Sequence, residues 1–232
     1  MDFTFGIITS GDNVTQVNKI ITSIKNLYVD RYEILIIGGE NVYHVEKKVK
    51  HHQFNENCEK AWITKKKNII TEKAQYENIV YLHDYVLFDK NWYQGYLNYG
   101  NNFEVVTNII LNKDRKRFRD WTLWPHNGDL VDEIIGKDLK CLIPYSISNL
   151  SKYMYISGTY WVAKKEVMLE FPLNENLFWG EGEDVEWSKR VRSKYDFKFN
   201  KFSTVNLNKQ KRNDFKEISK KDLLKILNHT NI

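Results

Sequence analysis

From Phe3 to Thr9 the chain reads Phe-Thr-Phe-Gly-Ile-Ile-Thr, an aromatic and β-branched run of the kind that forms a buried strand. Ser10-Gly11-Asp12-Asn13 follows, a turn cluster whose Asp and Asn side chains are suited to capping a helix. Val14, Val17, Ile20, Ile21, Ile24 and Leu27 then recur at helical spacing, which predicts a helix with one apolar face. Tyr32-Glu-Ile-Leu-Ile-Ile37 is almost continuously apolar and ends at Gly38-Gly39. Two such strands joined by a crossover helix describe a parallel βαβ unit buried on both faces.

The same logic repeats once. The segment from about Trp62 to Tyr76 reads as a helix and leads into Asn78-Ile-Val-Tyr-Leu82, another buried strand. Beyond it the character changes. Phe103–Leu111 and Tyr153–Ala163 read as long strands without regular helices between them. Asp184–Lys194 reads as a helix, and Phe197-Lys-Phe-Asn-Lys-Phe202 alternates like an edge strand. After Val205 the chain turns polar and basic, with one weak amphipathic helix around Leu223, Leu224, Ile226 and Leu227. No repeat, linker or low-complexity block intervenes. The expectation is one α/β domain over residues 1–208, with a mostly parallel central sheet and a mixed C-terminal half, and a basic tail over 209–232.

Composition narrows the function classes. With 232 residues, 42% of them hydrophobic and only three prolines, the chain is long and apolar enough for a substantial core and is not a disordered segment. Its longest apolar stretch, the 11 residues Tyr153–Ala163, is broken by Ser157, Gly158 and Thr159 and falls short of the roughly 20 needed to span a bilayer. Met1-Asp-Phe-Thr-Phe5 lacks a basic n-region, so no secretory signal is expected. Cys58 and Cys141 make neither a disulfide framework nor a zinc site and fit a reducing, cytoplasmic setting. The net charge of +5 favours anionic partners. Nucleic acid is not expected among them, because acids interrupt the basic surface and no RNP, KH or zinc pattern occurs.

Candidate chemistry lies where parallel sheets bind ligands, beyond the carboxyl ends of the strands. Three such ends are Thr9-Ser10-Gly11, Gly38-Gly39-Glu40 and His83-Asp84-Tyr85. Neither a GxGxxG pattern nor a Walker A sequence is present, which excludes a P-loop NTPase. Asp84 offers a carboxylate suited to Mg²⁺ or Mn²⁺ shared with substrate phosphates; it is equally suited to capping a turn while His83 packs locally. Phe178-Trp-Gly-Glu-Gly-Glu-Asp-Val-Glu-Trp187 packs four acids, two glycines and two tryptophans into ten residues. Glu183 and Asp184 there either complement a helix dipole or include a general base beside a tryptophan that stacks on a sugar. His44 and His51-His52 read as surface residues, and Arg115–Arg119 more readily as a solvated loop than as a phosphate site, with the capacity to grip an acidic acceptor. Trp121, Trp124 and His126 read equally as pocket or core. Lys209–Arg212 and Lys220-Lys221 suit an ordinary basic tail or, less readily, an anionic membrane surface.

The order of these features resembles the inverting glycosyltransferases of family 2, with their Rossmann-like GT-A fold, over roughly residues 3–205. Phe3–Gly11 is similar to that family's first strand and nucleotide-contacting turn. Trp62–Leu82, with Lys67-Asn68, is similar to its basic helix and following strand. His83-Asp84-Tyr85 stands where the family places Asp-x-Asp, leaving Asp84 as the single acid, and Ser157-Gly158 with Phe178–Glu186 resembles its acceptor-side segment ending in Glu-Asp. The resemblance implies transfer of a sugar from a nucleotide-diphosphate donor, a UDP-sugar first, to a glycan or lipid-linked hydroxyl with inversion. It implies a nucleotide-binding half over about 1–100 and an acceptor half over about 101–208. Thr9, Ser10, Gly11, Glu40, Lys66, Lys67, His83 and Asp84 would contact the donor, with Mn²⁺ or Mg²⁺ on Asp84. Trp179, Gly180, Glu181, Ser157 and Gly158 would contact the acceptor. Asp184 would be the base, with Glu183 second. The broken metal motif keeps open the alternative of an inactive GT-A domain that binds a nucleotide or sugar.

Overall fold

Strand β1 (Phe3–Ile8) runs parallel to β2 (Tyr32–Ile37) on one side and to β4 (Asn78–His83) on the other, with Phe5 opposite Ile34 and Val80. The computed structural model describes residues 1–39, 47–55, 62–123, 140–147 and 154–229. Outward from β1, the sheet adds β3 (Val49–His52), parallel to β2. Beyond β4 it adds β10 (Tyr160–Lys164), antiparallel to both β4 and β6 (Val105–Leu111). Then come β11 (Phe197–Leu207), parallel to β6, and β5 (Val86–Phe88), antiparallel to β11. The order β3-β2-β1-β4-β10-β6-β11-β5 gives an α/β fold with a largely parallel eight-stranded sheet. A smaller mixed sheet, β12-β8-β7-β9, joins β7 (Thr122–Leu123), β8 (Cys141–Leu142), β9 (Met154–Tyr155) and β12 (Lys216–Glu217).

Period-two alternation sends successive side chains of the large sheet into different cores. Phe3, Phe5 and Ile7 meet α1 (Val14–Lys25) and α3 (Trp92–Tyr99) in one cluster through Val17, Ile20, Ile24, Trp92 and Tyr96. Ile79 and Tyr81 of β4 and Trp161 of β10 point the other way, into a cluster with α2 (Ile63–Lys73), α4 (Lys165–Glu170) and α5 (Glu183–Val191). A last helix, α6, spans Lys220–His229. None of the described helices is long and apolar enough to cross a membrane.

Three expectations change. The long strand expected over Tyr153–Ala163 is two strands in different sheets, because Ser157-Gly158-Thr159 leaves the ladder and the Gly158 N–H bonds a carboxylate instead. The expected edge strand at Phe197–Phe202 lies inside the sheet, between β6 and β5. Its polar residues are satisfied there: Asn200 donates to Ser203 Oγ at 3.0 Å, Ser203 donates to the Trp92 carbonyl at 2.8 Å, and a bulge separates Asn200 from Thr204. Helix α3 was not anticipated; it has no side-chain cap, and its aromatic residues are read as easily as strand.

Gly6 sits in the middle of β1, where a Cβ would come within 2.8 Å of Ile70 Cδ1 and 3.1 Å of its Cγ1. Ile70 is fully buried and β-branched, so it has little room to withdraw. Gly6→Ala should therefore destabilise the domain by about 1–3 kcal/mol through overpacking, read as a lower urea midpoint with an unchanged slope. An unchanged midpoint would mean that α2 shifts freely against β1.

Candidate active site

Two adjoining cavities open at the carboxyl ends of β1 and β4. The smaller, about 200 Å³, is lined by Thr9, Ser10, Lys66, His83 and Asp84 among others. The larger, about 590 Å³, holds Arg119, Ser157, Gly158, Glu183 and Asp184. His83, Tyr85, Trp179, Lys209 and Lys211 line both, so they form the boundary between the two lobes.

In the smaller lobe, Thr9 Oγ1 donates to Asp84 Oδ2 at 2.8 Å and accepts from the Gly11 N–H at 3.1 Å. This chain ties the first strand end to the turn after β4. Ser10 is exposed and donates to Asp12. Lys66 is buried under the lobe and donates to the Thr9 carbonyl at 2.7 Å. The His83 ring lies on the Tyr85 ring, with centroids 5.1 Å apart. Burial, then the charges of Lys67, Lys211, Lys209 and Lys66, hold its pKa well below the usual imidazole range, so it is neutral at pH 7. Glu40 lies outside the described residues, as do His44, Cys58, Trp124 and His126.

In the larger lobe the chemistry converges on Gly158. Its N–H donates to Asp184 Oδ2 at 2.7 Å, and its carbonyl accepts from Lys67 Nζ at 2.9 Å. A Cβ on this residue would stand 3.1 Å from Glu183 Oε1 and 3.3 Å from Asp184 Oδ2, so the close approach of both acids favours a glycine. Neighbours on a helix diverge by about 100°, yet both carboxylates reach the same point and line the same lobe. The Val185 N–H donates to Asp184 Oδ1 at 2.9 Å, so both oxygens of this carboxylate are held. Gly182, at φ 77°, supplies the left-handed turn that starts α5.

Lys67 is fully buried, with its ammonium 4.4 Å from the Trp161 ring centroid and facing the two acids. Burial pushes its pKa down to about 8, against the pull of Glu183 and Asp184. Burial also raises both carboxyls; mutual repulsion adds to this for Glu183, and Lys67 opposes it for both. The result is two acids of raised basicity with one buried cation between them and the core.

Trp179 is 61% exposed and overhangs both lobes beside Gly180. Ser157 lines the larger lobe. Glu181 lines neither; its Oε2 accepts from the Phe178 N–H at 2.9 Å and closes its own loop. Trp121, read as pocket or core, is core: it is 1% exposed and donates to the Ile147 carbonyl.

Sequence reasoning missed the basic wall. Lys209 and Lys211, assigned to a tail, cross the cavity mouth with their Nζ atoms 4.1 and 4.9 Å from the Tyr85 ring centroid. Further on, Lys216 and Glu217 pair with β8. Arg119, assigned to a solvated loop, lines the larger lobe, with Nη2 bonded to Asp214 at 2.8 Å. The alternation Lys209-Gln210-Lys211 was the available signal, since positions two apart share one side of an extended segment. The metal expected at Asp84 does not fit this setting. No group of three or more His, Cys, Asp or Glu side chains is arranged to hold an ion among the described residues. Among the described residues Asp84 is the only carboxylate lining the smaller lobe, one of its oxygens is engaged by Thr9, and three lysines line the same lobe.

No family model matches this sequence, and no curated protein matches it. Solved structures do. A crystal structure of GalNAc-T7 with UDP, GalNAc and Mn²⁺ superposes with a TM-score of 0.65 at 16% identity, covering 91% of this chain and 44% of that one. A structure of S. aureus TarS residues 1–349 superposes with a TM-score of 0.54 at 10% identity, covering 98% of this chain and 63% of that one. The chain thus spans about half to two thirds of the structures it is similar to. At these identities the likeness is one of fold: the architecture is that of the GT-A glycosyltransferases.

Proposed function

We propose that the protein is an inverting glycosyltransferase that moves a sugar from a nucleotide-diphosphate donor, first a UDP-sugar, to a hydroxyl of a glycan or lipid-linked acceptor. The observation that carries this reading is the acid pair fixed to Gly158 in a lobe that adjoins the β1 and β4 strand ends. The donor's nucleotide occupies the smaller lobe beside Thr9, Ser10 and Gly11. Its sugar reaches past His83 and Tyr85 towards the acids. The GT-A likeness supports a nucleotide-sugar donor, and the bound UDP in the GalNAc-T7 structure makes UDP the first nucleotide to try.

An acceptor hydroxyl is a poor nucleophile until it loses its proton. Asp184 takes that proton as the acceptor oxygen bonds to the anomeric carbon. The bond from that carbon to the diphosphate oxygen breaks on the opposite face, its electron pair leaves with the diphosphate, and the configuration inverts. Two backbone N–H donors fix the Asp184 carboxylate, and each oxygen keeps a further lone pair for the proton. Burial raises its basicity, which suits a general base working near neutral pH. Glu183 orients the acceptor, and Trp179 covers its sugar as the Gly180–Gly182 loop closes. The Mn²⁺ or Mg²⁺ expected on Asp84 has no part in this sequence of steps. Lys220 and Lys221, both exposed, are the contact offered to a membrane when the acceptor is lipid-linked.

Calorimetry with UDP, GDP, CDP and TDP tests the donor; binding to none of them removes the enzyme reading. A transfer assay with UDP-sugars then separates an enzyme from an inactive binding domain, and an NMR assignment of the product anomer tests inversion. Asp184→Asn should lower turnover by about 100-fold or more with near-normal donor affinity, while Glu183→Gln should chiefly raise the acceptor KM. Two variants with wild-type kinetics would reduce the pair to a helix cap. Because Lys67 lowers the pKa of both acids, Lys67→Met should move the acid limb of the kcat/KM profile to higher pH. An unmoved limb in a folded variant would separate Lys67 from the base.

A further inference from the structure

The segment that follows β11 is a strap pinned at successive points. The Asn208 N–H donates to the Tyr85 carbonyl at 3.0 Å. The Asn112 side chain accepts from the Lys211 N–H at 2.9 Å and donates back to its carbonyl at 2.6 Å. Gln210 Oε1 accepts from the Asp114 N–H at 3.1 Å, and the Asn213 side chain donates to the Arg117 carbonyl at 2.9 Å. Side chains on a segment held this way are positioned with it.

The strap sets cations against a wall that holds few acids. Lys209 and Lys211 border both lobes, Arg119 lines the larger one, and Lys66 lies beneath the smaller. Arg119 has its backbone in the left-handed region at φ 41°, and its buried Nε has no hydrogen-bond partner among the described residues. Asp214 holds only the far end of its guanidinium. Lys211 is half-buried, and burial together with Lys209 and Arg119 lowers its pKa, a sign of like charges crowded together. Among the described residues Asp84 is the carboxylate that lines the smaller lobe, and Thr9 already occupies one of its oxygens, while Asp184, whose carboxylate also feels Arg119, stands in the larger. Crowded, partly buried cations are relieved by an anion with several oxygens, and a divalent cation would add to their repulsion.

We propose that Lys209 and Lys211, with Arg119 beside them, supply the counter-charge for the donor's diphosphate, so that a nucleoside diphosphate binds here without a divalent cation. This rests on the glycosyltransferase reading above and gives its leaving group a place to unload charge: the electron pair released at the anomeric carbon arrives on phosphate oxygens already faced by ammonium and guanidinium donors. The adjoining acids keep the other wall for the acceptor.

UDP and inorganic pyrophosphate are the probes, titrated into the full chain with EDTA or with Mn²⁺. UDP should bind in EDTA with an affinity within about twofold of that in Mn²⁺, and the affinity should fall steeply with added salt. The double variant Lys209→Gln, Lys211→Gln should weaken UDP by at least about tenfold, with uridine little affected, because each charged hydrogen bond carries on the order of a factor of ten. Lys209 is exposed and Lys211 half-buried, so an unchanged thermal midpoint checks that the variant is folded. Loss of UDP binding in EDTA with recovery in Mn²⁺ overturns the proposal. So does EDTA-insensitive binding that the double variant leaves intact. Pyrophosphate bound through the lysines while every nucleoside diphosphate fails would keep the cationic site and remove the glycosyl-transfer reading. Binding of neither probe overturns the proposal, and failure of GDP, CDP and TDP as well removes the glycosyl-transfer reading with it.

Discussion

A lysine ammonium with no exposure to water is the constraint around which the site is organised. Left alone in a protein interior such a charge is strongly unfavourable. Lys67 is tolerated because the Gly158 carbonyl accepts from it, the Trp161 ring lies under it and two carboxylates face it. Each partner comes from a different part of the chain: α2 carries the lysine, the break before β10 carries Gly158, and the first turn of α5 carries the acids. The same peptide unit that accepts from Lys67 lies next to the N–H that fixes Asp184. Removing the cation would leave two close acids without their counter-charge, so packing and site electrostatics are one problem here.

The cavity carries both signs of charge: the acid wall of Glu183 and Asp184 lines the larger lobe, and the basic wall of the strap, with Lys209 and Lys211, borders both lobes together with the stacked rings of His83 and Tyr85. The proposed transfer has the same polarity, because a proton leaves the acceptor while negative charge grows on the departing diphosphate. Each wall is preorganised by backbone contacts, two N–H donors to Asp184 and the Asn112 clamp on the strap, so little rearrangement is needed as charge moves.

The mixed part of the sheet explains how the strap reaches the site. Strand β11 runs beside β6 and ends next to β5, whose partner residues Val86–Phe88 follow directly on the His83-Asp84-Tyr85 turn. A chain leaving β11 is therefore delivered to the carboxyl end of β4, where the parallel half of the sheet presents its ligands. The likeness to larger GT-A structures concerns this framework; the cations on the strap belong to this chain's own residues.

Much of the framework was legible in the sequence because burial on two faces leaves a continuous apolar run. That is why β1, β2, β4, α1 and α2 were found close to their true limits. The acid pair was legible too, since four acids between glycines and tryptophans are an unusual composition for a packed segment. What the sequence could not determine were relations between distant residues. The polar interior of β11 read as an edge because Asn200 and Ser203 are satisfied by each other and by Trp92, a pairing invisible in one dimension. Lys67 was expected among the donor contacts, since nothing local distinguishes a lysine that faces a ligand from one whose counter-charges lie more than a hundred residues away. Lys209 and Lys211 read as a tail because their position over Tyr85 depends on Asn112, a contact made only in the folded chain. Local patterns of burial determined the elements; long-range hydrogen bonding and charge pairing, which need three dimensions, decided the site.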